Sequence, residues 1–234
     1  LVIVHFREYG HDKIKVKVIN VDDAGRIKLS RKALLEPAEG DAGDDGRGQG
    51  MSGTAVPVPV ILSKRLKMRG VEPADFERLV AHWSHPETIR FIGGEARPPH
   101  LVWTRSVLNS RGMWSLLGYG YWLVEDRKTG EFVGEVGFAD FHRDTEPSFW
   151  GVPEFGWVIS PEKFGEGYAS EAVTAAHDWL DEETSEAKSC CIIDHDNGAS
   201  IKIAQKMGYV QKGTVRFNEE DVMYFKRAKG GLAA

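Results

Sequence analysis

The stretch from Phe155 to Ala172 joins an apolar strand to an amphipathic helix through a loop that contains Gly165 and Gly167. The residues before Pro161 are rich in β-formers, and a proline ends such a run. The helix is predicted from apolar residues on one face of a 3.6-residue repeat, namely Ala169, Ala172, Val173, Ala176, Trp179 and Leu180. The glycines permit backbone conformations closed to other residues, and the free N–H groups of a helix start favour an anion. The junction therefore predicts either a tight strand-to-helix turn or a phosphate-binding loop.

Two motifs narrow this choice. Residues 164–172 read Phe-Gly-Glu-Gly-Tyr-Ala-Ser-Glu-Ala, which resembles the pyrophosphate loop of the GNAT family of N-acetyltransferases, and specifically the branch with the ribosomal-protein N-terminal acetyltransferases. Glu162 stands where that family usually has Gln or Arg, so a favourable charge is lost there while the backbone loop is kept. Residues 196–209 resemble the Asn-x-x-Ser helix of the same family, which ends in Gly-Phe or Gly-Tyr. The two motifs in this order are much more specific than either alone.

The resemblance implies the GNAT acyl-CoA N-acyltransferase fold over about residues 56–230. That fold is mixed α/β (α+β), with a central, mostly antiparallel sheet flanked by helices; in this chain a β-hairpin fragment precedes it. The order of predicted elements agrees with it. The predicted strands are 62–69, 119–126, 131–141, 154–159, 188–193, 209–217 and 220–227, and the predicted helices are 73–83, 86–92, 100–117, 168–182 and 198–207.

The resemblance also implies acetyl-CoA as co-substrate, with no metal. The strand before the loop diverges from its neighbour in the family, so backbone groups of Val158, Ile159 and Ser160 are expected to pair with the pantetheine arm. Asn197 is expected to contact the arm from the other side, with Ser200 also at the cofactor. The diphosphate is assigned to the backbone N–H groups of Lys163, Phe164, Gly165, Glu166, Gly167, Tyr168 and Ala169.

Direct attack of an amine on the thioester needs a deprotonated amine, and a proton helps the departing thiolate. Many relatives supply that proton from a tyrosine seven residues after the motif asparagine, but this chain has Ala204 there. Ser200 is the remaining candidate acid, unless it only satisfies the first helical turn. Glu154 is the predicted base, acting through water, although a solvated carboxylate at a strand end is the alternative. Three further candidates for the base lie on or just past the neighbouring strand: Glu135, Asp140 and His142.

The N-terminal part differs from the rest in composition. Residues 13–19 and 26–30 alternate polar and apolar residues around a turn, which predicts a hairpin. Residues 10–35 resemble the C-terminal end of the OB-fold RNA-binding domain of polynucleotide phosphorylase. We expect a partial OB-fold-like segment over 1–35, a flexible acidic glycine-rich linker over 36–55, the enzyme over 56–230 and a tail over 231–234. Met51 is expected to be the natural start of a free-standing enzyme.

The net charge of −5 argues against nucleic acid as the main partner, because phosphate binding depends on Lys and Arg. No apolar run approaches the roughly 20 residues that span a bilayer, so neither a membrane nor a location outside the cytoplasm is expected. Adjacent Cys190 and Cys191 are interpreted as reduced packing residues.

The resulting prediction is a cytoplasmic enzyme whose partners are acetyl-CoA and an amine acceptor, with a homodimer left open. The acceptor is a protein N-terminus, an amino acid, a polyamine or a drug amine. A non-catalytic acyl-CoA sensor and an RNA-binding module built on the basic hairpin are the alternatives.

Overall fold

The computed structural model describes residues 2–4, 14–21, 27–30 and 57–231. The chain divides into two compact units, Leu1–Ser52 and Gly53–Ala234. The predicted linker, Met51 and the predicted hairpin turn lie outside the described residues. No helix in the described parts of the chain combines the length and the apolar character needed to cross a membrane.

The first unit contains a three-stranded antiparallel sheet in the order β1-β2-β3. Its strands are β1 (Val2–Val4), β2 (Ile14–Val21) and β3 (Ile27–Ser30). The pairing of β2 with β3 confirms the predicted hairpin, whereas the strand at the very start of the chain was not predicted. A strand of three residues is too short for periodicity to reveal.

The second unit is built on an eight-stranded sheet in the order β10-β11-β9-β8-β7-β6-β5-β4. Every described pairing in it is antiparallel except that of β8 with β9, which is parallel. The strands are β4 (Ile61–Leu62), β5 (Leu66–Arg69), β6 (Tyr121–Asp126), β7 (Phe132–Ala139), β8 (Glu154–Ile159), β9 (Lys188–Ile193), β10 (Val210–Phe217) and β11 (Glu220–Ala228). The mostly antiparallel mixed sheet confirms the predicted fold class.

Helices cover both faces of this sheet. The α-helices are α1 (Phe76–Ser84), α2 (Pro86–Ile89), α3 (Pro99–Val102), α4 (Asn109–Leu117), α5 (Tyr168–Glu183) and α6 (Gly198–Lys206). Short 3₁₀ turns occupy Pro73–Asp75 and Pro161–Lys163, and a π-helical segment spans Trp103–Leu108. Ala172, Val173 and Ala176 of α5 pack in the main core with Val136 and Phe138 of β7. The apolar stripe predicted for this helix therefore forms its buried face.

A second core lies on the opposite face of the sheet. Leu79 and Trp83 of α1 pack there with Leu123 of β6 and half-buried Val158 of β8. A third cluster on this face contains Cys190, whereas Cys191 points into the main core, so the two free thiols face opposite sides of β9. Both are buried, as expected for packing residues.

Two predicted elements are more divided than the sequence pattern indicates. The single strand predicted over 62–69 is wrong, because β4 and β5 pair antiparallel around a tight turn at residues 63–65. The Ser63 N–H donates to the Leu66 carbonyl across this turn, and the Arg65 N–H donates to Glu171 of α5. The helix predicted over 100–117 is α3, the π-helical segment and α4 in succession. Such side-chain contacts and local widening of a helix leave no periodic signal in the sequence.

Candidate active site

The two parallel strands of the sheet separate along most of their length. β8 pairs with β7 from Glu154 to Ile159, but it pairs with β9 only through Glu154 and Cys190. One further bond holds the junction, from the Cys190 N–H to the Pro153 carbonyl at 2.9 Å. Beyond this point the β8 edge that faces β9 has no strand partner among the described residues. The expected divergence is therefore present, and it leaves a gap that an extended molecule with amide groups can fill.

Alternation along β8 decides which backbone groups face the gap. The Ser160 N–H donates to the Val133 carbonyl of β7 at 2.8 Å, so Ser160 points away from β9. N–H and C=O directions alternate along a strand, so the backbone groups of Val158 also point toward β7. The backbone groups of Trp157 and Ile159 point into the gap. Of the three residues predicted to pair with a pantetheine arm, only Ile159 has its backbone groups available there. Trp157 was missed because the sequence does not give the register.

The glycine loop after β8 provides a cluster of free N–H groups. Gly165 and Gly167 have φ of 77° and 80°, in the left-handed region that favours glycine. A Cβ on Gly165 would meet nothing within 4 Å, so the space above this loop is open. The N–H groups of Gly165, Glu166, Gly167, Tyr168 and Ala169 have no hydrogen-bond acceptor within residues 57–231. Such a cluster at a helix start is suited to a diphosphate.

Two of the N–H groups predicted for the diphosphate are already used. The Lys163 N–H donates to the Ser160 carbonyl at 2.9 Å, and the Phe164 N–H donates to the Pro161 carbonyl at 3.1 Å. Both bonds belong to the 3₁₀ turn that Pro161 begins. The Lys163 side chain is also engaged, because its Nζ lies 2.8 Å from Glu131 Oε2. We therefore restrict the predicted diphosphate donors to residues 165–169.

A cation from another part of the chain lies beside this loop. Arg65 donates through Nε to Glu171 at 2.7 Å and through Nη1 to the Glu166 carbonyl at 2.9 Å. Its Nη2 atom lies 3.6 Å from the position that a Cβ on Gly167 would take. Glu162, where relatives have Gln or Arg, instead accepts a hydrogen bond from Ser160 Oγ. Arg65 therefore brings a guanidinium to the side of the loop while it is paired with Glu171, which lies 106 residues later in the chain, so no local pattern reveals the contact.

The second motif lies at the same edge of the sheet. Because β8 and β9 are parallel, the glycine loop after β8 and the start of α6 after β9 flank the open end of the gap. Asn197 Oδ1 caps α6 by accepting the Ser200 N–H at 3.1 Å. The half-buried Ser200 hydroxyl has no hydrogen-bond partner in the described part of the chain, whereas Ala204 is buried in the main core. Asn197 therefore does the capping, and the Ser200 hydroxyl is left available.

Glu154 is held in a tight ion pair. Arg143 donates through Nε and Nη2 to its two carboxylate oxygens at 2.7 and 2.9 Å. Only 7% of the Glu154 side chain is exposed, and the Arg143 guanidinium also lies over the Phe141 and Phe217 rings. A carboxylate with both oxygens bound to an arginine is poorly placed to accept a proton from an amine. The sequence could not show this, since the arginine lies in the irregular loop before β8.

Glu135, named above only as an alternative, lies in a different environment. The residue is 3% exposed, and its carboxylate accepts the Trp83 Nε1–H at 2.6 Å. Burial raises the pKa of Glu135 from its ordinary value to about 7, and the Trp83 hydrogen bond and the charge of Arg97 only partly oppose this rise. Glu135 pairs with Val158 in the sheet, so it lies on the same sheet face as Glu154. A carboxyl group with a pKa near neutral is well matched to general base catalysis.

Tyr121 lies between these two carboxylates. It pairs with Gly137, which pairs with Gly156, and the Tyr121 hydroxyl occupies the place where a Cβ at residue 156 would be. Ser110 Oγ and Trp114 Nε1 donate to the Tyr121 carbonyl. The Tyr121 hydroxyl makes no hydrogen bond within residues 57–231. Burial, together with the nearby Glu154 carboxylate, raises the pKa of Tyr121, so the hydroxyl remains protonated at neutral pH.

Asp140 and His142, the other candidate bases, order the loop beyond β7. Asp140 Oδ2 accepts the Gly151 N–H at 2.9 Å and lies 3.2 Å from His142 Nε2. His142 is exposed and stacks on Trp150, with 4.8 Å between the ring centroids. These contacts explain the positions of both side chains by a structural role in the loop.

The site therefore has two parts, one on each side of the split strand. On one side lie the gap and the glycine loop, which fit an amide-containing arm that ends in a diphosphate. On the other side lie a protonated hydroxyl and a carboxyl group with a pKa near neutral. No group of three or more His, Cys, Asp or Glu side chains in the described stretches is arranged to hold a metal ion. A split parallel strand pair beside a helix start with free N–H groups is the arrangement expected of a coenzyme A-dependent acyltransferase.

Comparison with known proteins agrees with this class. The family model of the acetyltransferase (GNAT) domain matches residues 65–210. The chain is 33% identical to the uncharacterized protein YkkB of Bacillus subtilis, over 71% of this chain and 94% of that protein. It is 27% identical to the uncharacterized N-acetyltransferase YoaA of the same organism, over 68% of this chain and 86% of that protein. A solved structure described as a GnaT-family acetyltransferase of Bordetella pertussis superposes with a TM-score of 0.65 at 25% identity, covering 73% of this chain and 99% of the other.

The chain belongs to the GNAT acetyltransferase family. It is an N-acetyltransferase that uses acetyl-CoA and transfers the acetyl group to an amine.

Proposed function

We propose that the enzyme binds acetyl-CoA in the β8–β9 gap and acetylates a primary amine held on the sheet face that carries Tyr121 and Glu135. The observation that carries this proposal is the pairing of β8 with β9 at a single residue pair, next to a helix start with free N–H groups. Acetyl-CoA supplies an activated acetyl group when bound. The protein residues have to orient the two reactants, exclude water and move one proton.

The binding part of the proposal assigns one role to each segment. The N–H groups of residues 165–169 and the guanidinium of Arg65 hold the diphosphate. The backbone groups of Trp157 and Ile159 bind the amides of the arm. Asn197 positions the start of α6 on the far side of the gap, where the Ser200 hydroxyl is free to contact the arm or the sulfur.

The catalytic part of the proposal separates the two carboxylates. Glu135 takes the proton from the amine, directly or through a water molecule, because its pKa lies near neutrality and no arginine is paired with it among the described residues. Glu154 holds Arg143 and the loop before β8 in place. The leaving sulfur receives a hydrogen bond from the Tyr121 hydroxyl, which lies at Gly156 near the point where the strands separate. The Ser200 hydroxyl is the second donor to this sulfur.

Titration calorimetry with acetyl-CoA, followed by thiol release over a panel of primary amines, tests this function. Binding together with amine-dependent thiol release is expected. Binding without turnover on any amine would identify an acyl-CoA sensor instead.

The finer predictions from the sequence stay proposals. These are the kinship with ribosomal-protein acetyltransferases, the OB-fold resemblance of residues 10–35, the domain boundaries, the cytoplasmic location and the homodimer. Sedimentation equilibrium tests the homodimer, and a chain that starts at Met51 tests whether residues 1–50 are dispensable for turnover.

A further inference from the structure

The Arg97 guanidinium is fixed at the edge of the Glu135 site. Its Cζ atom lies 3.3 Å from the centroid of the Trp83 ring, and the Trp83 indole N–H is the group that binds Glu135. The Arg97 N–H also donates to the Trp83 carbonyl at 3.1 Å. One tryptophan therefore connects the arginine to the buried carboxyl group, and Arg97 is held by both its side chain and its backbone.

Arg97 has no anionic partner among the residues that the structure describes. Within residues 57–231, no carboxylate lies within ion-pair distance of its guanidinium, and the guanidinium donates no hydrogen bond. Burial is the main reason that the pKa of Arg97 falls to about 10, and the charges of Arg105 and Arg143 add to this fall. The group remains charged at neutral pH. A partly desolvated charge without a partner is costly, and such groups in proteins are usually paired by a ligand or a side chain.

The other charges of the site compensate Arg97 only in part. Glu154 is neutralised by Arg143, and Asp140 lies against His142. The charge of Glu135 opposes the effect of burial on Arg97, but the raised pKa of Glu135 weakens this compensation because it favours the neutral carboxyl group. Arg105, on the exposed side of the π-helical segment, adds a further positive charge. This balance disfavours acceptors with several positive charges, such as polyamines, and favours one that carries a negative charge.

We propose that the acceptor is an amino acid whose carboxylate is bound by Arg97 while its amine faces Glu135 and Tyr121. This inference rests on the proposed function and specifies the acceptor. The planar fork of a guanidinium matches the two oxygens of a carboxylate, and stacking on Trp83 fixes the plane of that fork. An N-terminal residue within a protein lacks this carboxylate, since it forms the next peptide bond.

Matched pairs of acceptors test the proposal with the full chain and saturating acetyl-CoA. Each pair contains a free amino acid and its amide, with spermidine and a tripeptide added as separate acceptors. The readout is the ratio of kcat/KM for the acid to that for the amide. This ratio is measured in the wild type, Arg97→Gln, Arg97→Lys and Arg90→Gln. Arg90 is an exposed arginine of the same region, paired with Glu87, and serves as the control.

The wild-type ratio is expected to exceed about ten. It should fall at least tenfold in Arg97→Gln, because a charge-assisted hydrogen bond is lost, and should fall less in Arg97→Lys. Arg90→Gln is expected to keep the wild-type ratio. A wild-type ratio near one, or better turnover of spermidine or the tripeptide, overturns the proposal without any variant. A high ratio that persists in Arg97→Gln overturns the assignment to Arg97. Acetylation without preference leaves the proposed function standing, whereas no acetylation of any amine overturns both.

Discussion

The Tyr121 hydroxyl and Gly156 are complementary across the sheet, because the phenolic oxygen occupies the place that a Cβ at residue 156 would need. The ring reaches β8 across Gly137, where a side chain would also collide with β6. Two glycines in one row of the sheet therefore make room for one tyrosine. Its hydroxyl lies at Gly156, two residues along β8 from Glu154, which is the residue of β8 that pairs with β9.

Removal of this hydroxyl is expected to affect catalysis more than stability. Tyr121→Phe should lower kcat roughly 10²-fold, a typical value for a proton donor, and leave acetyl-CoA affinity within a few-fold. The free energy of unfolding should change by less than about 1 kcal/mol, because the hydroxyl has no protein partner in the described residues. Gly156→Ala should destabilise the wild type more than it destabilises Tyr121→Phe. Equal costs in the two backgrounds, measured by urea unfolding, would show that the contact is not there.

The stability of the protein should fall as pH rises through the range in which Glu135 loses its proton. The raised pKa, about 7 against an ordinary value of 4.5, means that the folded chain keeps a proton that the unfolded chain releases. The stability contributed by this proton is fully present below pH 4.5 and is lost as the pH rises through about 7. A pKa shift of this size corresponds to a free energy of about 3 kcal/mol. Glu135→Gln should therefore gain stability relative to the wild type between pH 4 and pH 8.

The same variant tests the role of Glu135 as base. The wild-type profile of kcat/KM against pH should show a limb near pH 7, set by this carboxyl group, and Glu135→Gln should lack it. A limb that persists in the variant would assign the base elsewhere.

Glu154→Gln is expected to lose stability and to keep the limb near pH 7, the opposite of what is expected for Glu135→Gln. The variant leaves the Arg143 guanidinium without its carboxylate, so the free energy of unfolding should fall by about 2 kcal/mol or more. The neutral-pH limb of the rate profile should remain. Asp221→Asn, which breaks an exposed pair with Arg216, is the matched control and should cost less than about 1 kcal/mol. Loss of the limb in Glu154→Gln would restore Glu154 as the base.

Substitutions at two glycines with the same backbone conformation distinguish the cost of backbone strain from a loss of ligand binding. Gly165 and Gly130 have φ of 77° and 73°, and a Cβ on either would meet nothing within 4 Å. Valine at either position should therefore cost similar stability, on the order of 1–2 kcal/mol. Only Gly165→Val should weaken acetyl-CoA binding, by at least about tenfold, because its side chain enters the space over the free N–H groups. Equal affinities of the two variants, by calorimetry, would place the diphosphate elsewhere.

Local patterns predicted the elements around the site well. The bounds of β8 and β9 agree with the prediction, and α5 extends one residue further, because Pro161, two glycines and a 3.6-residue repeat mark them. The side-chain chemistry could not be predicted, because it depends on pairs distant in sequence. Arg65 reaches the glycine loop from a distant part of the chain, and Tyr121 reaches Gly156 only because of the strand register. Glu154 was preferred over Glu135 because the sequence does not show which carboxylate an arginine neutralises.

The stoichiometry of the products tests the central claim most directly. Wild-type protein, acetyl-CoA and an amine that supports turnover are incubated, and free thiol and N-acetylated amine are both quantified by mass spectrometry. We predict one N-acetylated amine for each thiol released, with thiol release dependent on the amine. Thiol release without an acetylated amine, or acetyl-CoA binding with neither product for every amine tried, would contradict acetyl transfer at this site.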